Sequence, residues 1–298
     1  MSIPSQKALR RGHLLALFTI IVWSTTFLST KVLLNDFLPS EILFIRMFIA
    51  ILALYIVRPK SLKLKERRHE WYFAGAGLCG VTLYFLFENI ALTYTYPGNC
   101  SVIISTAPFF VALFVHWFLK TEPLSRWFFP GFAVAILGIA LISFAGQQMY
   151  INPLGDFLCV LAAVAWGGYS VFLKKIDAHS YDTLLSTRRI FIYGLSFLLP
   201  CLPFLGFSPS LEAMLKPVNL FNILYLSLGA SALCFITWNL AVRLIGAVKT
   251  SVYIYLSPAI TIAAAWLLLG DPLLPLSIVG AALALLGLLL SQRGTRRE

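Results

Sequence analysis

The stretches VWSTTFLSTK (22–31) and AWGGYSVFLK (165–174) decide how this chain is read. Both lie inside long apolar runs, and each sets a tryptophan eight residues before a lysine: Trp23 and Lys31, then Trp166 and Lys174. The first also crowds hydroxyls, Thr26 among them, into a greasy segment, and the second carries Tyr169. Polar side chains in such company need a polar partner, a neighbouring helix or a ligand.

The surroundings are lipid. Of 298 residues 59% are apolar and 12% charged, against about half and about a quarter in soluble domains. A soluble core could not hide that much apolar surface. Crossing a hydrocarbon layer ~30 Å thick takes about 20 helical residues, and ten apolar runs qualify: 13–34, 40–57, 71–94, 97–119, 126–145, 154–174, 183–205, 219–242, 247–269 and 273–291. Turn-forming stretches such as PKSLKLKERRHE and GQQMYINPLGD separate them. Backbone polar groups in lipid must pair within their own segment, so the spans are expected to be helices.

Lys and Arg orient them. All but five of the 23 fall at one set of span ends. Lys216 alone lies in the opposite loops, while Lys31, Arg46, Arg188 and Arg189 lie within or at the ends of spans. That asymmetry puts both termini in the cytoplasm. It also accounts for the formal charge of +11 without a nucleic-acid partner. The five cysteines and four histidines are scattered, with no metal-ligand or disulfide spacing, and no cofactor is expected. The basic, then apolar, N-terminus resembles a secretory signal, but no small-residue cleavage site follows and nine more spans do.

The chain also repeats itself. A shift of 143 residues lays Trp23 on Trp166, Lys31 on Lys174 and Arg46 on Arg189. Further along the shift becomes 150, matching Asn89 to Asn239 and Pro108 to Pro258, and then 149, matching Gly131 to Gly280 and Gly138 to Gly287. Each half has five spans, so the second half enters the membrane inverted. Such repeats support alternating access about a site at their interface near mid-depth. Trp23, Thr26, Trp166 and Tyr169 are therefore candidates to line a central cavity; back-bonding of the hydroxyls to their own helices is the alternative.

Trp23 through Lys31, Pro39 through Arg46, APFF (107–110), EPLS (122–125) and the fifth-span glycines resemble the first half of the drug/metabolite transporter superfamily, most nearly the EamA-like transporters. PLGD (153–156), AWGGYSVFLKK (165–175), SPAI (257–260) and DPLL (271–274) resemble its second half. The resemblance covers essentially the whole chain. It implies an all-α polytopic membrane protein with ten transmembrane helices as a 5+5 inverted-topology repeat, divided here at 1–146 and 147–298. It further implies an inner-membrane location and the movement, commonly export, of small metabolites or amino acids. The chain departs from the pattern at Asp182, where no proline matches Pro39, and at Asp271, where the acid before the proline is shortened.

Pro108 and Pro258 each delete a backbone donor at matched depth, giving a static kink or a point of bending and substrate contact. The glycine pairs of the fifth and tenth spans mark small faces that pack either within the fold or between protomers of a homodimer. Glu88 is the acid well inside a span. It lies roughly 9 Å below the outer surface, as does Arg46, at 1.5 Å per helical residue. Glu88 either pairs with Arg46 or faces the cavity, where it would take a substrate ammonium or a proton. Asn89 and Asn239 bind substrate or clamp helices, and Trp238 stands where the repeat places the counterpart of Glu88. A secondary transporter of an amino acid, amine or related small solute is the expected function. No phosphate-binding loop supports an ATP-driven pump. A passive channel remains an alternative, and an intramembrane enzyme would need a catalytic constellation that the polar residues do not form.

Overall fold

The computed structural model describes residues 6–95, 97–120, 125–145, 152–269, 275–291 and 293. Every regular element among them is helical. Seven helices are long and apolar enough to cross a membrane. They comprise α1 (Gln6–Leu33), α2 (Pro39–Val57), α3 (Arg67–Tyr94), a span over Cys100–Leu119, α7 (Pro153–Ala178), a span over Thr183–Leu205 and α10 (Pro217–Ile245). The Cys100–Leu119 span belongs to two helices, α4 (Pro97–Ile104) and α5 (Ala107–Leu119). Next come α6 (Phe128–Ala145), then α8 (Thr183–Leu198), which runs on into a 3-10 segment, and the short α9 (Leu211–Leu215). After α10 follow α11 (Ala247–Ser251), a 3-10 segment Val252–Leu256, α12 (Ser257–Leu269) and α13 (Pro275–Ser291). The turns at 122–124 and 271–274, Asp271 included, lie outside the described residues.

Helix starts follow local chemistry. Proline opens α2, α7 and α10, where the missing N–H would have had no helical partner. Asp182 does the same service for α8 by another route: its carboxylate accepts from the Leu185 N–H at 3.0 Å. The departure from Pro39 is thus a change of cap. Glu41 reaches back to the Leu38 N–H at 2.8 Å and also accepts from the Ser208 N–H at 2.8 Å, tying the start of α2 to the loop before α9. Two helices carry π-helical turns, Leu78–Leu83 in α3 and Tyr225–Leu233 in α10.

The packing is reciprocal between the N-terminal and C-terminal parts. α1 lies on α10 and α12, while α7 lies on α3 and α5. α2 packs on the π-helical stretch of α10, and α8 on α3. α6 and α13 form the most extensive helix pair, and the glycines explain why. A Cβ on Gly138 would fall 2.5 Å from the Gly280 carbonyl oxygen, and one on Gly287 would fall 2.6 Å from that of Gly131. These small faces meet within the chain and are not available to a second protomer.

Candidate functional site

Near the middle of the bundle lies a cavity, about 530 Å³ of empty space including the part open to solvent. α1 contributes Ile20, Trp23, Thr26 and Phe27, which helical spacing sets on one face. α3 contributes Tyr84, Phe85 and Glu88, α2 contributes Arg46, and α7 contributes Trp166. Phe235 closes one wall. The breaks in the paired broken helices also reach it: Ile104 and Ala107 flank the α4–α5 break, and Ile254 and Ser257 the start of α12.

An aromatic layer borders the cavity. Trp23 meets Trp166 and Phe235 edge to face, at 5.3 Å and 5.4 Å between ring centroids, and Trp238 at a tilt at 5.0 Å. Trp166 continues the layer to Tyr169 at 4.9 Å. The Trp23 indole donates to the Ala230 carbonyl at 2.8 Å. The buried indole nitrogens of Trp166 and Trp238 have no hydrogen-bond partner among the described residues.

Beyond this layer lies a second, smaller crevice of about 250 Å³, toward the Lys/Arg-rich ends of α7, α8 and α10. Asp177 and Arg243 line it as an ion pair at 2.5 Å, and Arg243 also donates to the Tyr181 carbonyl at 2.5 Å. Asn239 lines it too, accepting from the Tyr169 hydroxyl at 2.5 Å and donating to Thr187 at 2.9 Å. Further ties close the same end: Arg58 to Asp182 at 2.5 Å, and the Lys65 ammonium to the His179 carbonyl at 2.7 Å.

The candidate residues therefore divide. Trp23, Thr26, Glu88 and Trp166 line the cavity. Trp238 and Tyr169 stand behind it in the aromatic layer. Asn239 faces the crevice. Asn89 donates to the Pro39 carbonyl at 3.2 Å, which makes it a clamp between α3 and the start of α2. Pro108 and Pro258 sit in the first turns of α5 and α12, and their neighbours Ala107 and Ser257 touch the cavity in their place. A proline in a first turn forfeits no helical hydrogen bond, so the helix breaks there instead of kinking.

Glu88 and Arg46 are each 2% exposed, and both line the cavity. The ion pairs among the described residues do not include them. Arg46 instead lays its guanidinium on the Phe85 ring, 4.1 Å from the centroid, and its Nε donates to Ser231 at 3.0 Å. Its Nη1 is buried without a hydrogen-bond partner among the described residues. Arg189, which the shift of 143 lays on Arg46, pairs with Glu70 on α3, where Tyr193 joins at 2.7 Å. Arg46, Tyr84, Phe235 and Ser257 were not among the residues the sequence marks for substrate. The i, i+4 step from Tyr84 to Glu88 was the available signal for one of them.

The family model of the EamA-like transporters matches twice, at residues 10–144 and 153–292. The chain belongs to the EamA-like transporter family. This EamA-like protein is 29% identical over 286 residues to a probable terminal-alkyne amino-acid exporter of Streptantibioticus cattleyicolor, covering 94% of each chain. It is 26% identical over 300 residues to a probable amino-acid metabolite efflux pump of Salmonella typhimurium, covering 96% of each. An Archaeoglobus fulgidus transporter is 27% identical over 287 residues, covering 94% of this chain and 97% of the relative. A crystal structure superposes with a TM-score of 0.74 at 20% identity, covering 94% of this chain and 96% of that one. At that identity the likeness speaks for the fold. This EamA-like protein is thus a multi-pass membrane transporter.

Proposed function

We propose that the chain is a secondary transporter that exports a small metabolite carrying an ammonium group, an amino acid or amine, across the cytoplasmic membrane by alternating access. The observation that carries this reading is the pairing of two recesses on opposite sides of one aromatic layer. The deeper recess holds an acid, Glu88, free of any ion pair among the described residues, and the other is latched by Asp177 and Arg243. Glu88 is the group available to a substrate ammonium or to a proton. The names of the relatives from Streptantibioticus and Salmonella point to the same solute class.

Ten spans in a 5+5 inverted repeat, with both termini cytoplasmic and the halves at 1–146 and 147–298, are part of the proposal. The double match of the family model supports it. So does the shift of 150, which lays the π-helical stretch 78–83 on 228–233, inside the π-helical turns of α10. The reciprocal packing of α1 on α10 and α7 on α3 is what a two-fold axis between the halves would give.

A thermal-shift screen of amino acids, amines and nucleosides on purified protein, followed by flux of the stabilising solutes in proteoliposomes, tests the reading. At least one amino acid or amine is expected to raise the melting temperature and to cross the bilayer only when the protein is present. If no solute in the panel does both, the reading is wrong.

A further inference from the structure

Arg46 raises a question that Glu88 alone does not. A guanidinium offers five donors in a planar fork, and in lipid-embedded protein such charges pair with acids or carbonyls. This one is fixed by Phe85 on its face and Ser231 at Nε. Its Nη1 is nonetheless buried with no acceptor among the described residues, and the whole side chain is 2% exposed. An acid lines the same cavity, also 2% exposed, without closing on it. Two buried opposite charges facing one cavity, held apart, leave the Arg46 fork unmet at Nη1. A structural ion pair would have collapsed to about 2.8 Å.

We infer that Arg46 and Glu88 form a two-point site for a zwitterion: Arg46 takes the α-carboxylate of an L-amino acid through Nη1, and Glu88 takes its α-ammonium. Trp23, Phe85, Trp166 and Phe235 supply the walls, so the side chain it favours is large and apolar. The inference rests on the transporter reading and narrows its substrate class. An amine would satisfy Glu88 and leave Arg46 unmet; a simple carboxylic acid would do the reverse. Sites built around buried charges reject analogues that leave one unpaired far more strongly than they resolve a methylene. Arg46 thereby sets specificity for a carboxylate.

Quenching of tryptophan fluorescence in the purified full chain reads binding, because Trp23 and Trp166 line the cavity. The probes are L-leucine, L-methionine and L-phenylalanine, each with its decarboxylated amine and its deaminated acid. At least one amino acid is expected to bind at least tenfold more tightly than both of its analogues. Arg46→Gln should bring the amino acid down to the affinity of its amine and leave the amine unchanged. Arg46→Lys, which keeps the charge, should restore part of the difference and guards against misfolding of the neutral variant. Glu88→Gln should weaken the amino acid and the amine but not the acid. The site is refuted if none of the amino acids binds, if the amine binds as well as the amino acid, or if Arg46→Gln weakens both alike. An amine that binds and is carried regardless of Arg46 would remove the zwitterion site and leave the transporter reading standing.

Discussion

Trp23 and Trp166, 143 residues apart, meet edge to face with centroids 5.3 Å apart and planes at 85°. The two residues that the shift of 143 matches in sequence meet in space, Trp23 on α1 and Trp166 on α7. Edge-to-face pairs add about 0.5–1.5 kcal/mol beyond their buried area. Trp23 also touches Phe235 and Trp238 and donates to Ala230. Trp23→Ala should cost about 3–5 kcal/mol and open a path between the two recesses. Trp23→Phe, which keeps a ring and loses the hydrogen bond, should cost about 1 kcal/mol. Thermal melts and solute leak from proteoliposomes check both. Equal melts for the two variants, or no leak with Trp23→Ala, would deny the layer its role as barrier.

The crevice beyond that layer is held by Asp177 and Arg243 at 2.5 Å. Arg243→Ala removes this tie and the bond to the Tyr181 carbonyl together. A water-soluble maleimide should then label a cysteine at Ser186, which lines the crevice, severalfold faster than in the parent. Exchanging the two charges, Asp177→Arg with Arg243→Asp, should restore slow labelling. Rates that ignore Arg243 would mean the pair latches nothing.

Close packing of α6 and α13 depends on the absence of side chains. A Cβ at Gly138 would meet backbone atoms, the Gly280 oxygen at 2.5 Å and the Ala284 nitrogen at 2.6 Å, which cannot swing aside. At Gly229 the nearest atom is a Tyr225 ring carbon at 3.6 Å, an ordinary contact. Gly138→Ala should destabilise by about 1–3 kcal/mol, and Gly229→Ala should leave the melting temperature near that of the parent. Similar melts for the two variants would contradict the packing.

Much of this was legible from particular residues. Apolar runs gave the seven spans found among the described residues, the prolines marked the places before α5 and α12 where a kink was expected and a break is found, and Gly138 and Gly287 gave a small-residue face. Which partner that face had was not readable, because small residues serve contacts within and between chains equally. The site was half legible. Trp23, Thr26, Trp166 and Glu88 stand out as polar or indole groups in apolar runs, whereas Phe235 looks like any core residue. Arg46 was legible as a charge, but the sequence left open whether it pairs with Glu88 or that acid faces the cavity; its separation from the acid depends on Phe85 and Ser231, which come from two different helices. Asn239 and Asn89 match in sequence, yet their partners differ, Tyr169 and Thr187 for one and a backbone carbonyl for the other.

One pH dependence belongs to the turn between α7 and α8. His179 lies against His69 with ring planes tilted by 30° and centroids 3.7 Å apart, stacks on Tyr72 at 6.0 Å, and has Tyr181 beside both imidazoles. Burial first, then the His69 ring, with Lys65 and Arg68 adding, holds His179 below its ordinary value of 6.5, while Glu66 opposes. The folded chain therefore binds this proton more weakly than the unfolded one. The stability it supplies is complete above the ordinary value and is lost as pH falls through the lowered folded value. The melting temperature should drop between about pH 7 and about pH 5, and His179→Gln should flatten part of that slope. Parallel slopes would assign the drop to other groups.

Counterflow in proteoliposomes tests alternating access most directly. Vesicles are loaded with the unlabelled form of whichever amino acid or amine the thermal-shift screen selects, and the labelled form is added outside. A carrier that turns over its two recesses around Trp23 and Trp166 should show faster labelled entry than unloaded vesicles, with a transient overshoot above equilibrium. Entry at the same rate with and without internal solute, and no overshoot, would be the behaviour of a simple pore and would contradict alternating access.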